Sequence, residues 1–370
     1  MKILLIANTS FKLVNFRSTL IQRLVEEGHS LTALVPVDNR TPELTALGVR
    51  VINMPMHATG TSPFRELKLL LRIFLSIRRI RPDAILGYTI KPNIYGALSA
   101  RALGIPFIPN VTGLGSVFDR PGLLKKMVKP LYRTAFRHCP KVYLQNPDDL
   151  ELFLQAGLID KRQARLLPGS GVDLAHFAAA PLPNQDQVTF LLVARMLGDK
   201  GVEVFAEAAE SLHATYPQAR FQLLGPYGTG KAGGLTQRDI ARLTHSGVVS
   251  YLGETTDVRP YISAADCVVL PTFYREGTPR SLLEAAAVGR PVITTNMPGC
   301  RDVVEPGVTG YLCPPRDSAG LAAAMGQFLK LSDAERTAMG NAARIRMATH
   351  FDEETVINAY LETLDLVSAS

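Results

Sequence analysis

The chain has 370 residues, 46% hydrophobic and 20% charged, a balance that excludes a disordered or fibrous protein and a length that predicts two domains with separate cores. Its net charge of +7 is unevenly spread: residues 1–180 hold 24 Lys/Arg against 12 Asp/Glu, and residues 181–370 hold 16 against 21. A basic first half predicts a surface there that meets anions.

The opening "MKILLIANTS" has one lysine and a short apolar run that breaks at Asn8, Thr9 and Ser10, which suits a first buried strand better than a signal peptide. "LTALVP", "AILGY", "PFIPNV" and "KVYLQN" continue the series in the first half. "VTFLLVA", "FQLLG", "VVSYLG", "CVVLP" and "PVITT" repeat it in the second. Runs that are apolar on both faces and alternate with helical patterns predict parallel sheets covered on two sides, a doubly wound α/β chain.

Two intervening segments are both basic and apolar. "FRELKLLLRIFLSIRRIRPD" precedes a strand and is expected to pack on the sheet. In "RPGLLKKMVKPLYRTAFRH", Lys125, Lys129, Arg133 and Arg137 recur every four residues beside the rows Leu124, Val128, Tyr132, Phe136 and Leu123, Met127, Leu131. That is the pattern of a segment lying on anionic lipid, and equally of a core-facing helix with a solvated basic side. Pro130 predicts a kink or two short helices.

The alternation breaks at "AAAPLPNQDQ", residues 178–187, and a new strand then begins like the first. We therefore expect an N-terminal Rossmann-like domain over 1–180, a C-terminal one over 181–350, and a ligand in a cleft at the carboxyl ends of both sheets. A last helix, in 351–370, is open to packing on either half. No apolar run approaches the roughly 20 residues of a spanning helix. Cys139, Cys267, Cys300 and Cys313 form no CxxC pair and have no His at ligand spacing, so reduced cytoplasmic thiols are expected and a metal site is not.

The chemistry concentrates in two places of the second half. "CVVLPTFYREGTPRSLLEAAAVG" reads as strand, loop and helix, with Thr278 as N-cap, Pro279 at the first helical position and Gly289 just past the end. The free N–H groups and dipole of that helix favour a phosphate. Glu276 sits before this anion site, where it can accept from sugar hydroxyls. Glu284, within the helix, can accept from the two hydroxyls of a ribose or simply form the wet face of an amphipathic helix. In "FLLVARMLGDKGVEVF", Arg195 leaves a strand and Lys200 precedes a helix, so two cations can hold a diphosphate and stabilise the charge it gains on departure. Together these describe a nucleotide-sugar site.

The pattern Arg195, Lys200 and Glu276-x7-Glu284, followed by "GRPVITTNMPGCRDVVEPGVTGYLCPP" and preceded by "GVDLAHF", resembles glycosyltransferase family 4, retaining enzymes of the GT-B fold, over nearly the whole chain. The resemblance implies a donor site of Arg195, Lys200, Gly253, Glu276, Gly277, Thr278, Pro279 and Glu284, with Arg195, Lys200 and Glu276 as the catalytic set. It also implies two sheets facing across a cleft. Asp302 stands where the family usually has Glu, "NTSFKLVNFR" replaces a Gly-Gly pair, and Thr112 in "NVTGLG" stands where many members have histidine. The stretch "GYTIKPNIYGALSARALGIPFIPNVTGLG" is similar to bacterial members that extend glycans on undecaprenyl diphosphate, N-acetylgalactosaminyltransferases among them. An acceptor on a polyprenyl diphosphate, a UDP-sugar donor and a peripheral place on the inner membrane face follow as expectations. The acceptor side is expected at Asn8, Thr9, Arg17, Lys91, Asn93, Thr112 and Gly113, with Lys91 on the acceptor's diphosphate.

"GPYGTGKA" nearly spells a P-loop, but Ala232 occupies the place of the Mg²⁺-binding hydroxyl and Gly233–Gly234 start a helix badly. "VTGLGS" lacks the third glycine and ribose acid of a dinucleotide fingerprint. A GT-B sugar-nucleotide epimerase and a catalytically silent binding subunit remain as rivals. No DxD is present, and with two cations at the diphosphate a metal-independent reaction is expected.

Overall fold

The computed structural model of the chain describes residues 1–56, 62–114, 123–183, 187–228, 230 and 233–369, and the side chains of 123–127 fall outside that description. Contacts divide the chain into Met1–Ser170 plus the residues from Glu354 onward, here unit 1, and Gly171–Glu353, unit 2.

Unit 1 is built on strands β1 (Lys2–Ile6), β2 (Ser30–Val35), β3 (Arg50–Asn53), β4 (Ala84–Tyr88), β5 (Phe107–Val111), β6 (Val142–Leu144) and β7 (Ala164–Leu166). They form one parallel sheet in the order β3-β2-β1-β4-β5-β6-β7. Unit 2 has β8 (Thr189–Val193), β9 (Arg220–Leu224), β10 (Val249–Tyr251), β11 (Cys267–Leu270), β12 (Val292–Thr295) and β13 (Gly310–Cys313), parallel in the order β10-β9-β8-β11-β12-β13. The chain order reverses between β1 and β4 in one sheet and between β8 and β11 in the other, the place where doubly wound folds take their ligands.

The ten anticipated strands are all present. Strands β4, β5, β8, β11 and β12 are buried along their whole length, which is why they read as unbroken apolar runs. The three strands that the sequence pattern did not predict, β3, β7 and β13, all lie at sheet edges. These three are short and half wet, so they carry no such run, whereas the fourth edge strand, β10, keeps one in "VVSYLG".

Helices cover the faces. Unit 1 has α1 (Ser10–Glu26), α2 (Thr41–Ala46), α3 (Pro63–Ile80), α4 (Ile90–Ala102), α5 (Leu123–Phe136) and α6 (Pro147–Gln155). Unit 2 has α7 (Val202–His213), α8 (Gln237–Thr244), α9 (Arg259–Ser263), α10 (Arg280–Val288), α11 (Ser318–Leu329) and α12 (Asp333–His350). The last helix, α13 (Glu353–Ser368), returns to unit 1 and buries Val356, Ile357, Tyr360 and Leu364 in the core shared by α1, β1 and β4. Tyr143 donates its hydroxyl proton to the Ala359 carbonyl at 2.6 Å, and the Asn110 amide donates to the Tyr360 hydroxyl at 2.9 Å.

The division falls at Ser170/Gly171, ten residues before the expected boundary at 180/181. The reason is local bonding. Val172 bridges to Asp352, and the Arg344 guanidinium donates to the carbonyls of Leu174, Phe177 and Ala287. Arg290 donates to the carbonyls of Ala180 and Pro181. The connector is thereby sewn onto unit 2.

Helix α5 runs as one element with Pro130 inside it, not as two short helices. Val128, Tyr132 and Phe136 enter the core, and Arg133 donates to the carbonyls of Ala156 and Gly157, both at 2.9 Å. Lys129 is half-buried and Arg137 exposed, while the side chains of Lys125, Leu123, Leu124 and Met127 lie outside the described residues. The apolar row Val128, Tyr132, Phe136 is thus a core row. Helix α3 packs inward through Leu69, Ile73 and Ile77, as expected, but also exposes Phe64, Leu67, Leu71 and Leu75. No described helix is long and apolar enough to cross a membrane.

In the P-loop look-alike, Gly234 bridges to Leu197, and the next helix starts only after Thr236, whose hydroxyl and Asp239 form a capping box. Lys231 and Ala232 lie outside the described residues.

Candidate functional site

Arg195 follows β8, and Lys200 ends a 3-10 turn at Gly198–Lys200. This turn is fastened to the loop after β11. The Asp199 carbonyl accepts from the Phe273 N–H and the Thr272 hydroxyl, both at 3.0 Å. Gly201 has φ +75°, and a Cβ there would stand 2.1 Å from the Pro271 carbonyl oxygen, so only glycine permits the approach. The fastening brings the Lys200 ammonium onto the Glu276 carboxylate as an ion pair, with the Tyr274 ring 5.7 Å from that ammonium. Residues 76 positions apart in sequence thus meet at the reversal point of the sheet. Nη1 of Arg195 is buried without a hydrogen bond among the described residues. A guanidinium N–H left dry in this way marks a place for an acceptor.

Gly253 follows β10 and accepts at its carbonyl from the Gly225 N–H at 2.8 Å, and a Cβ on Gly225 would stand 1.9 Å from the Ala194 carbonyl oxygen. Gly277 is backed by Gly299: a Cβ on Gly299, φ +79°, would lie 1.9 Å from the Gly277 carbonyl oxygen and 3.0 Å from that of Glu276. Asp302 closes this turn, since its carboxylate accepts from the Gly299 N–H at 3.0 Å. The Asp that replaces the usual Glu therefore supports the backbone behind Glu276. Cys300, fully buried in the same turn, has its thiol pushed up to about 12 by burial and then by Glu276.

Helix α10 begins one residue later than the sequence suggests. Pro279, at φ −66° and ψ 118°, is the N-cap and Arg280 the first helical residue. The fixed φ of proline serves either position, and it is the extended ψ that excludes Pro279 from the helix. Gly289 ends the helix at φ +86°, as anticipated. Glu284 is no wet face: it is 8% exposed, and Nε of Arg280 reaches its Oε1 at 3.0 Å. Burial holds its carboxyl above the usual range, against the pull of Arg280. The Arg280 partner was missed, although its i, i+4 spacing was visible; Arg before Glu is the weaker order on an exposed helix.

In unit 1 the expected acceptor-side residues follow β1, β4 and β5. Thr9 caps α1, accepting from the Lys12 N–H at 3.3 Å. Asn93 donates to the Asn110 carbonyl at 2.8 Å, and Thr112 and Gly113 follow β5. Lys91 forms an ion pair with Glu66 at 2.7 Å, and the Tyr95 hydroxyl also donates to Glu66 at 2.8 Å. Arg17 is 4% exposed, over the ring of Tyr88 at 5.2 Å. Tyr88 and Thr89 had no sequence signal. Burial and the nearby Tyr360 push the Tyr88 phenol well up, with Arg17 opposing. Thr89 stands at φ 75°, ψ 161°, a region almost confined to glycine that costs a β-branched residue about 1–3 kcal/mol. Among the described residues no three His, Cys, Asp or Glu side chains are grouped to hold a metal ion.

Two family models match the chain, "Glycosyl transferase 4-like" over residues 2–146 and "Glycosyl transferases group 1" over residues 187–331. The N,N'-diacetylbacillosaminyl-diphospho-undecaprenol alpha-1,3-N-acetylgalactosaminyltransferase of Campylobacter jejuni is 26% identical over 99% of each chain. The UDP-Gal:alpha-D-GlcNAc-diphosphoundecaprenol alpha-1,3-galactosyltransferase of Escherichia coli is 24% identical over 73% of this chain and 72% of its own. Among solved structures, Anabaena HepE in complex with UDP-glucose superposes at a TM-score of 0.80 with 20% identity over 99% of each chain. The likeness establishes the GT-B fold.

Proposed function

The chain belongs to the group 1 glycosyltransferases, and from that premise we propose that it transfers a hexose or N-acetylhexosamine from a UDP-sugar to a glycan carried on a polyprenyl diphosphate, with retention at the anomeric carbon. The observation that carries this reading is the set after β8 and β11: the Lys200–Glu276 ion pair, the unbonded Nη1 of Arg195 and the buried Glu284. The acceptor class rests on the Campylobacter and Escherichia relatives, whose acceptors are diphospho-undecaprenol sugars.

On this reading Glu284 holds the ribose hydroxyls and the N-terminus of α10 meets the diphosphate. Lys200 exchanges Glu276 for the diphosphate, which frees Glu276 to accept from the sugar hydroxyls. The bond from the anomeric carbon to the β-phosphate oxygen breaks, a bond to the acceptor oxygen forms on the same face, and the acceptor proton passes to the departing diphosphate. Arg195 and Lys200 stabilise the charge that develops there, and turnover is expected to persist in EDTA.

The test is transfer from a panel of UDP-, GDP- and ADP-sugars to a polyprenyl-diphosphate disaccharide, followed by mass, with wild type and Glu284→Gln. One productive donor is expected, with donor affinity in the variant lowered roughly 10- to 100-fold, the worth of hydrogen bonds to a charged acceptor. Because the Glu284 carboxyl is raised, wild-type donor affinity should fall on acidification at a higher pH than an ordinary carboxylate would dictate, while the Gln variant stays flat. Conversion of the sugar nucleotide itself would point to an epimerase, and UDP binding without any turnover to a silent subunit.

We also propose that unit 1 rests on anionic lipid through α3. Phe64, Leu67, Leu71 and Leu75 form an exposed apolar stripe, and Arg65, Lys68, Arg72 and Arg79 form an exposed basic ridge beside it, the combination that seats an amphipathic helix in a bilayer interface. Each basic residue contributes about 1 kcal/mol at such a surface. Changing Arg65, Lys68 and Arg72 to Glu should therefore lower co-sedimentation with phosphatidylglycerol vesicles at least ~100-fold. Equal binding by the triple variant would refute the assignment.

A further inference from the structure

Among the described residues two arginines, Arg17 and Arg290, are buried and Arg344 is half-buried, and they differ in how their N–H groups are used. Arg290 donates to four backbone carbonyls and Arg344 to three. Arg17 donates to one, that of its neighbour Phe16 at 2.7 Å, and its Nε is buried with no acceptor. No carboxylate of the described residues forms an ion pair with it. Arg17 is thus a buried cation that lies over the Tyr88 ring at 5.2 Å and whose counter-charge no described carboxylate supplies.

The surroundings are unsatisfied in the same way. Oδ1 of Asn8 and Oγ1 of Thr89 are buried without hydrogen bonds. Asn8 follows β1 and Thr89 follows β4, and the register Ile6↔Gly87 carries these two ends side by side at the point where the strand order reverses. Thr89 is also the N-cap of α4, a 13-residue helix whose first N–H groups have no side-chain cap, so the positive end of its dipole opens at the same place. Strained backbone, dry polar atoms and a buried cation without a carboxylate partner coincide here. A protein retains such a group of defects where a ligand relieves them.

We propose that Arg17, Thr89 and Asn8 with the N-terminus of α4 form an anion pocket in unit 1 that takes a phosphate-class group, the diphosphate of the lipid-linked acceptor. Only the source of the phosphate rests on the function proposed above. The arrangement assigns the diphosphate to Arg17 rather than to Lys91. A guanidinium presents two parallel donors to a phosphate, which an ammonium cannot.

The experiment titrates wild type, Arg17→Met and Thr89→Gly with inorganic pyrophosphate and with a short-chain polyprenyl diphosphate by calorimetry, with UDP as the control ligand and melting curves for each chain. The wild type should bind the polyprenyl diphosphate, and Arg17→Met should lose roughly 10- to 100-fold in affinity with UDP binding unchanged. Arg17→Met without ligand should melt no lower than the wild type, because the desolvated charge it removes has no carboxylate partner and only the Phe16 carbonyl and the Tyr88 ring beside it; a merely structural arginine would show the opposite. Thr89→Gly relieves the backbone and should hold or raise the melting temperature while weakening the same ligand, and it decides the matter if Arg17→Met does not fold. Pyrophosphate bound as tightly as the polyprenyl form would make a free diphosphate a sufficient ligand. Failure of sugar transfer with Arg17-dependent binding intact would overturn the function and leave the pocket standing. Absence of wild-type binding to either phosphate probe, or equal affinity in wild type and variants, overturns the pocket.

Discussion

Replacing Lys200 by Ala is expected to lower kcat by roughly 10²- to 10³-fold, the usual loss when one preorganised donor to a developing negative charge is removed. Two things make the effect large. The side chain is 13% exposed, so water does not screen the ammonium as at an open surface, and the backbone that carries it is fixed by Gly201 and the Asp199 carbonyl bonds. Glu276 also loses the cation that holds it. Lys200→Arg keeps the charge but changes the reach, and should recover part of kcat. Steady-state kinetics with the productive donor separate the outcomes. A fall confined to KM would mean that Lys200 binds donor and transition state equally, and the assigned role would fail.

Replacing Arg290 by Met should destabilise unit 2 by about 3–4 kcal/mol, a large effect for one substitution. The fully buried guanidinium donates to the carbonyls of Ile262, Ser263, Ala180 and Pro181 at 2.6–3.2 Å. Burial itself lowers its pKa, so removing the charge returns part of the cost. What decides the sign is the acceptors left behind, at about 1–3 kcal/mol for each that water cannot reach. Ile262 is buried whereas Pro181 is exposed, so the outer carbonyls rehydrate and the inner ones do not. Denaturant melts of wild type and variant measure the difference, and a loss below about 1 kcal/mol would show that the connector is not held through this residue.

The two arginines Arg17 and Arg290 bear on how stability and function are divided in this chain. Both carry a charge into the interior. One is saturated by backbone and fastens residues 180 and 181 to unit 2, and the other is left unsaturated near the carboxyl ends of β1 and β4. A loss of stability in Arg290→Met and none in Arg17→Met are therefore expected, as in proteins that hold a strained or poorly satisfied group for binding at some cost in stability.

The sequence by itself determined the architecture of each half and singled out the candidate donor residues by type. The central strands are buried on both faces, so they must be apolar throughout, and that constraint is written in "KILLIA" and "CVVLP" as plainly as in the sheets. The pattern Arg195, Lys200, Glu276-x7-Glu284 was legible because Arg195 and Lys200 lie in the loop after β8 and Glu276 and Glu284 lie on either side of the start of α10, where local signals of Gly and Pro mark the chain. What only the tertiary structure decided were relations between distant segments. The edge strands β3, β7 and β13, the ion pair of Lys200 with Glu276, the support of Gly277 by Gly299, the pairing of Lys91 with Glu66 and the dry Nε of Arg17 depend on which backbone lies opposite. A periodic pattern reports how much of a residue's surroundings is apolar; it does not report which partner satisfies a charge, because that partner is brought there by the folding of other parts of the chain.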